Sequence, residues 1–256
     1  MAAVDPLYLN VAYVGSFGRL YKIGLNPFHL LGQIPAPGGM LNMLRLDAKR
    51  RVIVASRDVG DAVARFNLDN SSPPVESPPL GNGRVVFDVV IDPDRGTYYA
   101  GALGFRGWSV IEGSLDDMTV RRESLIPGAY GFFMEIDRAG RTLFLASFFT
   151  GEIVKVDTET LKEGGRVEAV RGVRNLAFDP KRRVLFASDY FGGRLLIFQP
   201  DTNTFLPPVE VGPIVRYPHP DPNWERLVVR TGAGVFEIDL DRMLDARGGV
   251  TGNVTP

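Results

Sequence analysis

Four side chains that could hold a divalent metal ion stand at matching places in the sequence. They are Asp88, Glu135, Asn175 and His219, and each lies two or four residues before an aspartate that ends a short apolar stretch. Carboxylate and amide oxygens suit Ca²⁺ or Mg²⁺, and a histidine extends the choice to Mn²⁺ or Zn²⁺. These residues can act together only if the fold brings four distant segments to one place.

The aspartates that follow these residues define an internal repeat. They recur at intervals of 45, 45, 42 and 42 residues, at Asp47, Asp92, Asp137, Asp179 and Asp221. A further step of 42 towards the N-terminus leads to Asp5. Each copy has an apolar stretch that ends in Asp, a tight turn, and further apolar runs, as in "NLAFDPKRRVLFASDYFGGRLLIF". Short runs rich in β-branched and aromatic residues between Gly, Pro, Asn and Asp are typical of strands.

Four antiparallel strands per copy of about 43 residues, repeated six times, predict an all-β fold, a six-bladed β-propeller of four-stranded antiparallel blades. We expect one domain over residues 1–256, with approximate blades 1–41, 42–86, 87–131, 132–173, 174–215 and 216–256. Only four residues precede Asp5, so a partial array of a longer propeller is the alternative. The segment 239–247 is either a short helix or the last outer strand.

The copies at 132–173 and 174–215 resemble the YVTN and NHL types of propeller repeat. "NLAFDPKRRVLFASDYFGGRLLIFQPDTNTF" is similar to them in its first apolar strand, its Asp-Pro turn, its second strand and its "TN" turn. The resemblance implies a propeller. It implies no particular activity, because such folds include enzymes, scaffolds and sensors.

Polar residues of the predicted innermost strands share one side, since the side-chain period of a strand is two. In a closed ring they would converge near the axis as an axial cluster of Arg45, Asp88, Glu135, Asn175, Tyr217 and His219. Asn175 in "RNLAFDP" is similar to the asparagine of the "NGLAFSPDG" segment of SMP-30/gluconolactonase-like propellers, whose metal is held by Glu, Asn and Asp. This weaker resemblance implies a metal-dependent lactonase- or lyase-like enzyme in which Asn175 is a metal ligand. Asp88, Glu135 and His219 are candidate ligands from their residue types and strand positions. The alternative is structural, with hydrogen bonds between blades and Arg45 paired to a carboxylate.

A second set of residues is rich in arginine and aromatic side chains and is predicted to lie in loops on one face. Its members are Arg57, Arg84, Phe105, Arg106, Tyr130, Phe148, Phe149, Arg174, Tyr190 and Arg216. Such a composition is favoured in binding hot spots, although the rings could also simply cover the blade ends. Because no catalytic signature is present, the predicted function is a non-catalytic binding or scaffold propeller for a protein, peptide or glycan partner.

Composition limits the classes of partner. The chain has 29 basic and 30 acidic residues and a net charge of −1, which argues against nucleic acid. It has no cysteine, which excludes disulfides and thiol nucleophiles. There is no apolar run of about 20 residues, so we expect no membrane insertion. We expect a soluble protein, either cytoplasmic or exported with its signal segment absent from this sequence.

Overall fold

The computed structural model describes residues 2–5, 7–8, 10–58, 61–70, 72–80 and 84–247. The described residues form antiparallel sheets and one short helix, which confirms the all-β prediction and the four-stranded antiparallel sheet as its recurring unit. Contacts divide the chain into two compact units, Met1–Gly128 and Ala129–Pro256. Ring closure and the number of blades stay predictions.

The first sheet of the first unit contains six strands in chain order. They are β1 (Ala2–Val4), β2 (Val11–Leu25), β3 (Phe28–Asp47), β4 (Val52–Arg57), β5 (Val63–Asn67) and β6 (Val75–Glu76). Strand β3 is long because its first part pairs with β2 and its last part, from Leu41, pairs with β4. The predicted boundary between the first two blades, after residue 41, therefore falls inside one continuous strand.

The second sheet of this unit has the predicted four strands in chain order. They are β7 (Val85–Asp92), β8 (Thr97–Gly104), β9 (Gly107–Ser114) and β10 (Val120–Pro127). Two buried rings explain two of its glycines. A Cβ on Gly101 would lie 2.2 Å from the Trp108 ring, and one on Gly113 would lie 2.1 Å from the Tyr98 ring. Only glycine leaves room for these rings against the strand surface.

The second unit contains two four-stranded sheets and one three-stranded sheet. The first has β11 (Phe133–Asp137), β12 (Thr142–Ser147), β13 (Glu152–Asp157) and β14 (Glu163–Glu168). The second has β15 (Val173–Asp179), β16 (Val184–Asp189), β17 (Arg194–Gln199) and β18 (Thr204–Glu210). The third has β19 (Arg216–Pro220), β20 (Arg226–Thr231) and β21 (Gly234–Asp239). The first strands β11, β15 and β19 contact each other in that order, and apolar side chains fill the space between consecutive sheets.

A short helix, α1 (Leu240–Asp245), takes the place of a fourth strand in the last sheet. The Asp239 carboxylate caps it by accepting a hydrogen bond of 2.9 Å from the Arg242 backbone N–H. The helix buries Leu240, Met243 and Leu244 against the neighbouring sheet. Of the two predictions for residues 239–247, the helix is confirmed, and residues 248–256 of the predicted last blade lie outside the described residues.

The repeated aspartate closes the turn between the first two strands of a repeat. Asp179 Oδ1 accepts hydrogen bonds from the backbone N–H groups of Lys181 and Arg182 at 2.8 and 3.1 Å. Four residues after the aspartate the backbone is left-handed, and the φ angles are 54°, 59°, 51° and 53° at Arg51, Gly96, Arg141 and Arg183. This conformation favours glycine, so the three arginines lie in a backbone region that side-chain-bearing residues seldom adopt.

Candidate functional site

Aromatic and arginine side chains gather at one end of the sheets of the second unit. We call Phe132, Phe148, Phe149, Arg174, Tyr190, Phe191 and Arg216 the aromatic–arginine cluster. They lie where β11, β15 and β19 begin and where β12 and β16 end. In an antiparallel sheet the start of one strand lies beside the end of the neighbouring strand. The cluster therefore lies at the opposite end of these strands from the repeated aspartates.

Phe148 is the centre of the ring contacts. Its centroid lies 5.4 Å from Phe132, 5.1 Å from Phe149 and 5.4 Å from Phe191. It also lies 6.1 Å from Tyr190. These are normal distances for edge-on and tilted aromatic pairs. Phe149 and Phe191 nevertheless remain 57% and 67% exposed, so the rings form a continuous apolar surface that water can reach.

Two guanidinium groups lie against the same tyrosine beside this surface. The Arg174 guanidinium is 5.1 Å from the centre of the Tyr190 ring and 5.6 Å from that of Phe132. The Arg216 guanidinium is 5.3 Å from the centre of the Tyr190 ring, and its Nη2 donates a hydrogen bond of 3.1 Å to the Tyr190 hydroxyl. Cation–π contact and this hydrogen bond hold both side chains in place.

The charge of these arginines is not balanced by an acid. Among the described residues, no carboxylate forms an ion pair with Arg174 or Arg216, and the buried Nε atom of each has no hydrogen-bond partner. Burial, followed by the positive charge of Arg216, lowers the pKa of Arg174. The hydrogen bond from Arg216 lowers the pKa of the Tyr190 hydroxyl. The site is therefore electropositive, and the described residues supply no counterion for it.

Strained backbone adjoins the cluster at Tyr217. Its φ angle is +45° although it lies in β19, and a bulky residue in this region is strained by about 1–3 kcal/mol. The register of β19 against β20 shifts between Arg216 and Pro218. The Tyr217 ring lies 5.8 Å from Phe133 and stacks on His219. Strain of this kind concentrates at functional sites.

The predicted axial cluster is divided between the two units. In the first unit Arg45 Nη2 lies 3.7 Å from Oδ1 of the fully buried Asp88, and Arg45 Nε donates to the carbonyl of Val89 at 3.0 Å. This confirms the structural alternative for Arg45, namely pairing with a carboxylate. It also gives the Asp88 carboxylate a countercharge within its own unit.

The other axial residues lie on the first strands of the second unit. Asn175 is 2% exposed, and its buried Oδ1 has no hydrogen-bond partner in the described part of the chain. The Glu135 carboxylate accepts a hydrogen bond from the backbone N–H of Ile136 at 2.9 Å, and Tyr217 and His219 are stacked. Within the part of the chain that the structure describes, no group of three or more His, Asp or Glu side chains is arranged to hold a metal ion. Convergence of all six axial residues stays a prediction.

The predicted loop-face set is only partly collected in the second unit. The aromatic–arginine cluster contains Phe148, Phe149, Arg174, Tyr190 and Arg216, and the Tyr130 carbonyl accepts from the Phe149 N–H at 3.1 Å. Phe105 and Arg106 are exposed at the β8–β9 turn of the first unit. In the same unit Arg84 is half-buried and bonded to Glu123.

One predicted position is wrong. Arg57 does not lie in an exposed loop, because it is the last residue of β4. It is 3% exposed and donates to Glu76 from both terminal nitrogens. A buried arginine needs such a partner. The Arg57 guanidinium, which was expected to face a ligand, is instead paired with the Glu76 carboxylate.

The sequence places the other two members of the cluster, Phe132 and Phe191, in the same loops, although they are not among the residues predicted to bind a ligand. A signal for Phe132 was present, since Phe132, Arg174 and Arg216 each stand five residues before the repeated aspartate. These equivalent positions lie at the start of β11, β15 and β19, and therefore at the same end of the three strands.

No helix within the described ranges is long and apolar enough to cross a membrane. No protein-family model matches the chain, and the comparison with curated proteins finds no match.

Proposed function

We propose that this chain is a non-catalytic binding β-propeller of six blades, which presents the aromatic–arginine cluster to a macromolecular partner. The observation that carries the proposal is the pair of guanidinium groups without a carboxylate partner, beside phenyl rings that stay exposed. Aromatic and arginine side chains are enriched among the residues that dominate binding energy at interfaces. Aromatic rings combine a large apolar area with few lost rotamers, and arginine adds a planar set of charged hydrogen-bond donors.

The rigidity of the site supports binding. The rings and guanidinium groups hold each other through mutual contacts, and they lie at or directly beside the ends of hydrogen-bonded strands. A preorganised surface loses little conformational entropy when a partner docks. Strain at Tyr217 is consistent with a position selected for recognition at some expense of stability.

The test is a binding screen with a matched pair of variants. Purified protein is applied to a displayed random peptide library and to a glycan array, as wild type and as the double variant Phe149→Ser/Phe191→Ser. We expect specific ligands whose affinity falls at least about tenfold in the double variant. Phe28→Ser is the control, because Phe28 is exposed at the start of β3 and lies outside the cluster.

A result in which no ligand is found, or in which the double variant binds as well as the wild type, would contradict the proposal. The control variant should bind normally. Near-identical thermal unfolding of the three proteins would show that lost binding does not reflect lost folding.

A second candidate function rests on one specific observation, the buried and unpartnered Oδ1 of Asn175. An amide oxygen is a ligand for hard cations, so a metal-dependent lactonase- or lyase-like enzyme is the alternative proposal. Its test is the metal content of purified protein before and after Asn175→Ala and Glu135→Gln. Stoichiometric Ca²⁺, Mg²⁺, Mn²⁺ or Zn²⁺ that both substitutions remove would favour the enzyme over the binding protein.

A further inference from the structure

The chemistry of the aromatic–arginine cluster defines a narrower ligand class than its shape alone. Building on the binding function above, we infer that the partner is an extended peptide segment in which an aspartate or glutamate lies next to a bulky apolar side chain. The carboxylate binds between Arg174 and Arg216, and the apolar side chain packs on Phe148, Phe149 and Phe191.

The need for an anion follows from the two arginines. Both guanidinium groups contact the ring of Tyr190 and are half-buried, so two like charges are held together in a partly desolvated place. Within the described residues neither has a carboxylate partner. A ligand carboxylate would relieve the repulsion, and the planar fork of arginine matches its two oxygens.

Three other half-buried arginines of the same unit have an acid beside them. Arg182 bonds Asp179 at 2.6 Å, and Arg194 lies 2.8 Å from Asp189. Arg183 bonds both Asp137 and Asp201. Arg174 and Arg216 instead contact aromatic rings.

The surroundings of the two arginines favour a peptide over a saccharide or a phosphate polymer. Phenyl rings provide no hydrogen-bond donors or acceptors, so sugar hydroxyl groups placed on Phe148, Phe149 and Phe191 would lose water without replacement. An aliphatic or aromatic side chain gains from the same burial. A polyanion such as a nucleic acid would meet a chain with net charge −1 and only two arginines at this site.

The experiment uses the whole chain and a displayed library of random 12-residue peptides. We expect enriched peptides to carry Asp or Glu beside Leu, Ile, Phe or Trp. For the strongest synthetic peptide, replacing the acid by its amide (Glu→Gln or Asp→Asn) should weaken binding at least about tenfold, as measured by isothermal titration calorimetry. This comparison leaves the protein unchanged, so it does not depend on the folding of a variant.

Protein variants complete the test. Arg174→Gln and Arg216→Gln should each weaken the acidic peptide at least about tenfold while barely affecting its amide twin. Arg226→Gln is the control, since Arg226 lies in β20 outside the cluster and pairs with the exposed Glu237. Higher salt should reduce the difference between the acidic peptide and its amide twin.

The outcomes separate this inference from the binding function itself. Peptides that need Phe149 and Phe191 but not an acid would overturn the acidic-peptide class and leave the binding function standing. A glucuronate-containing oligosaccharide or inorganic phosphate that binds through both arginines, with no peptide enriched, would also overturn it. No cluster-dependent ligand of any class would overturn both.

Discussion

Arg183 reaches back 46 residues to Asp137, and its Nη2 donates a hydrogen bond of 2.8 Å to the Asp137 carboxylate. Its Nε donates to Asp201, 18 residues ahead, at 2.7 Å. Arg51 makes the matching contacts with Asp5 at 2.9 Å, 46 residues back, and with Asp69 at 3.3 Å, 18 residues ahead. At Asp5 and Asp137 the repeated aspartate therefore closes its own turn and also binds the arginine of the following repeat. This contact gives Arg51 and Arg183 a role at positions where the backbone favours glycine.

The first prediction concerns this link. Arg183→Ala should lower the free energy of unfolding by about 2–3 kcal/mol, because it leaves the buried Asp137 carboxylate without its arginine. Urea denaturation measures the change.

Arg141→Ala is the matched control for Arg183→Ala. Arg141 has nearly the same φ angle and the same repeat position, but its ion-pair partner Glu159 is exposed. We expect a loss below about 1 kcal/mol. Equal losses at the two positions would contradict a special role for the bond between repeats.

A second prediction concerns the glycine under Trp108. Gly101→Ala should destabilise the protein by about 1–3 kcal/mol, because the new Cβ would lie 2.2 Å from the buried indole ring. Displacement of the ring should also shift tryptophan fluorescence. Gly32→Ala is the control, since a Cβ there meets no atom within 4 Å. Unchanged stability and emission for Gly101→Ala would show that the ring has room that the structure does not show.

A third prediction concerns alkaline pH. Burial raises the pKa of Tyr98 from 10.0 to about 12. The folded state therefore keeps a proton that the unfolded state loses, so this contribution is complete below pH 10 and is lost as the pH rises towards 12. Tyr98→Phe should flatten the fall in unfolding free energy over this window. Tyr8→Phe, at an exposed tyrosine, should retain the wild-type slope, and an equal slope for all three proteins would refute the assignment.

A fourth prediction concerns the candidate site. Hydrogen bonding by Arg216 lowers the pKa of the Tyr190 hydroxyl, so Tyr190 should ionise at lower pH than an ordinary tyrosine. Tyrosine ¹³Cζ NMR titration measures this, with Tyr190→Phe to assign the signal. Arg216→Gln should raise that pKa, whereas Arg226→Gln should leave it unchanged. A Tyr190 titration that is insensitive to Arg216→Gln would show that the hydrogen bond is absent in solution.

The sequence predicts the local elements well because turn chemistry and apolar runs are local properties. The repeated aspartates lie at turns of the expected kind, and the apolar runs Val184–Ala187 and Leu195–Phe198 of the quoted segment lie in strands β16 and β17. The long strand β3 was missed, because its continuity depends on partners on both sides. Pairing with β2 and then with β4 carries the strand through residues 36–40, where proline and glycine predicted a break.

The site was predictable in part. Composition alone indicated an arginine- and aromatic-rich face, and five of its predicted residues form one cluster. Which arginines have a carboxylate partner could not be predicted, because that depends on neighbouring strands. Arg57 pairs with Glu76, a residue 19 positions away, whereas Arg174 and Arg216 contact the ring of Tyr190. A count of charges, nearly balanced over the chain, carries no information about this difference.

Two contacts between repeats have the same direction, since Arg51 and Arg183 belong to the later copy and the buried carboxylates of Asp5 and Asp137 to the earlier one. Deleting the later copy would leave a buried acid without its arginine, whereas deleting the earlier copy would leave an arginine free to extend into water. At these two positions, loss of the following copy is therefore the more harmful event. Gain of copies by gene duplication would be tolerated most easily when each new copy brings its arginine along with its aspartate.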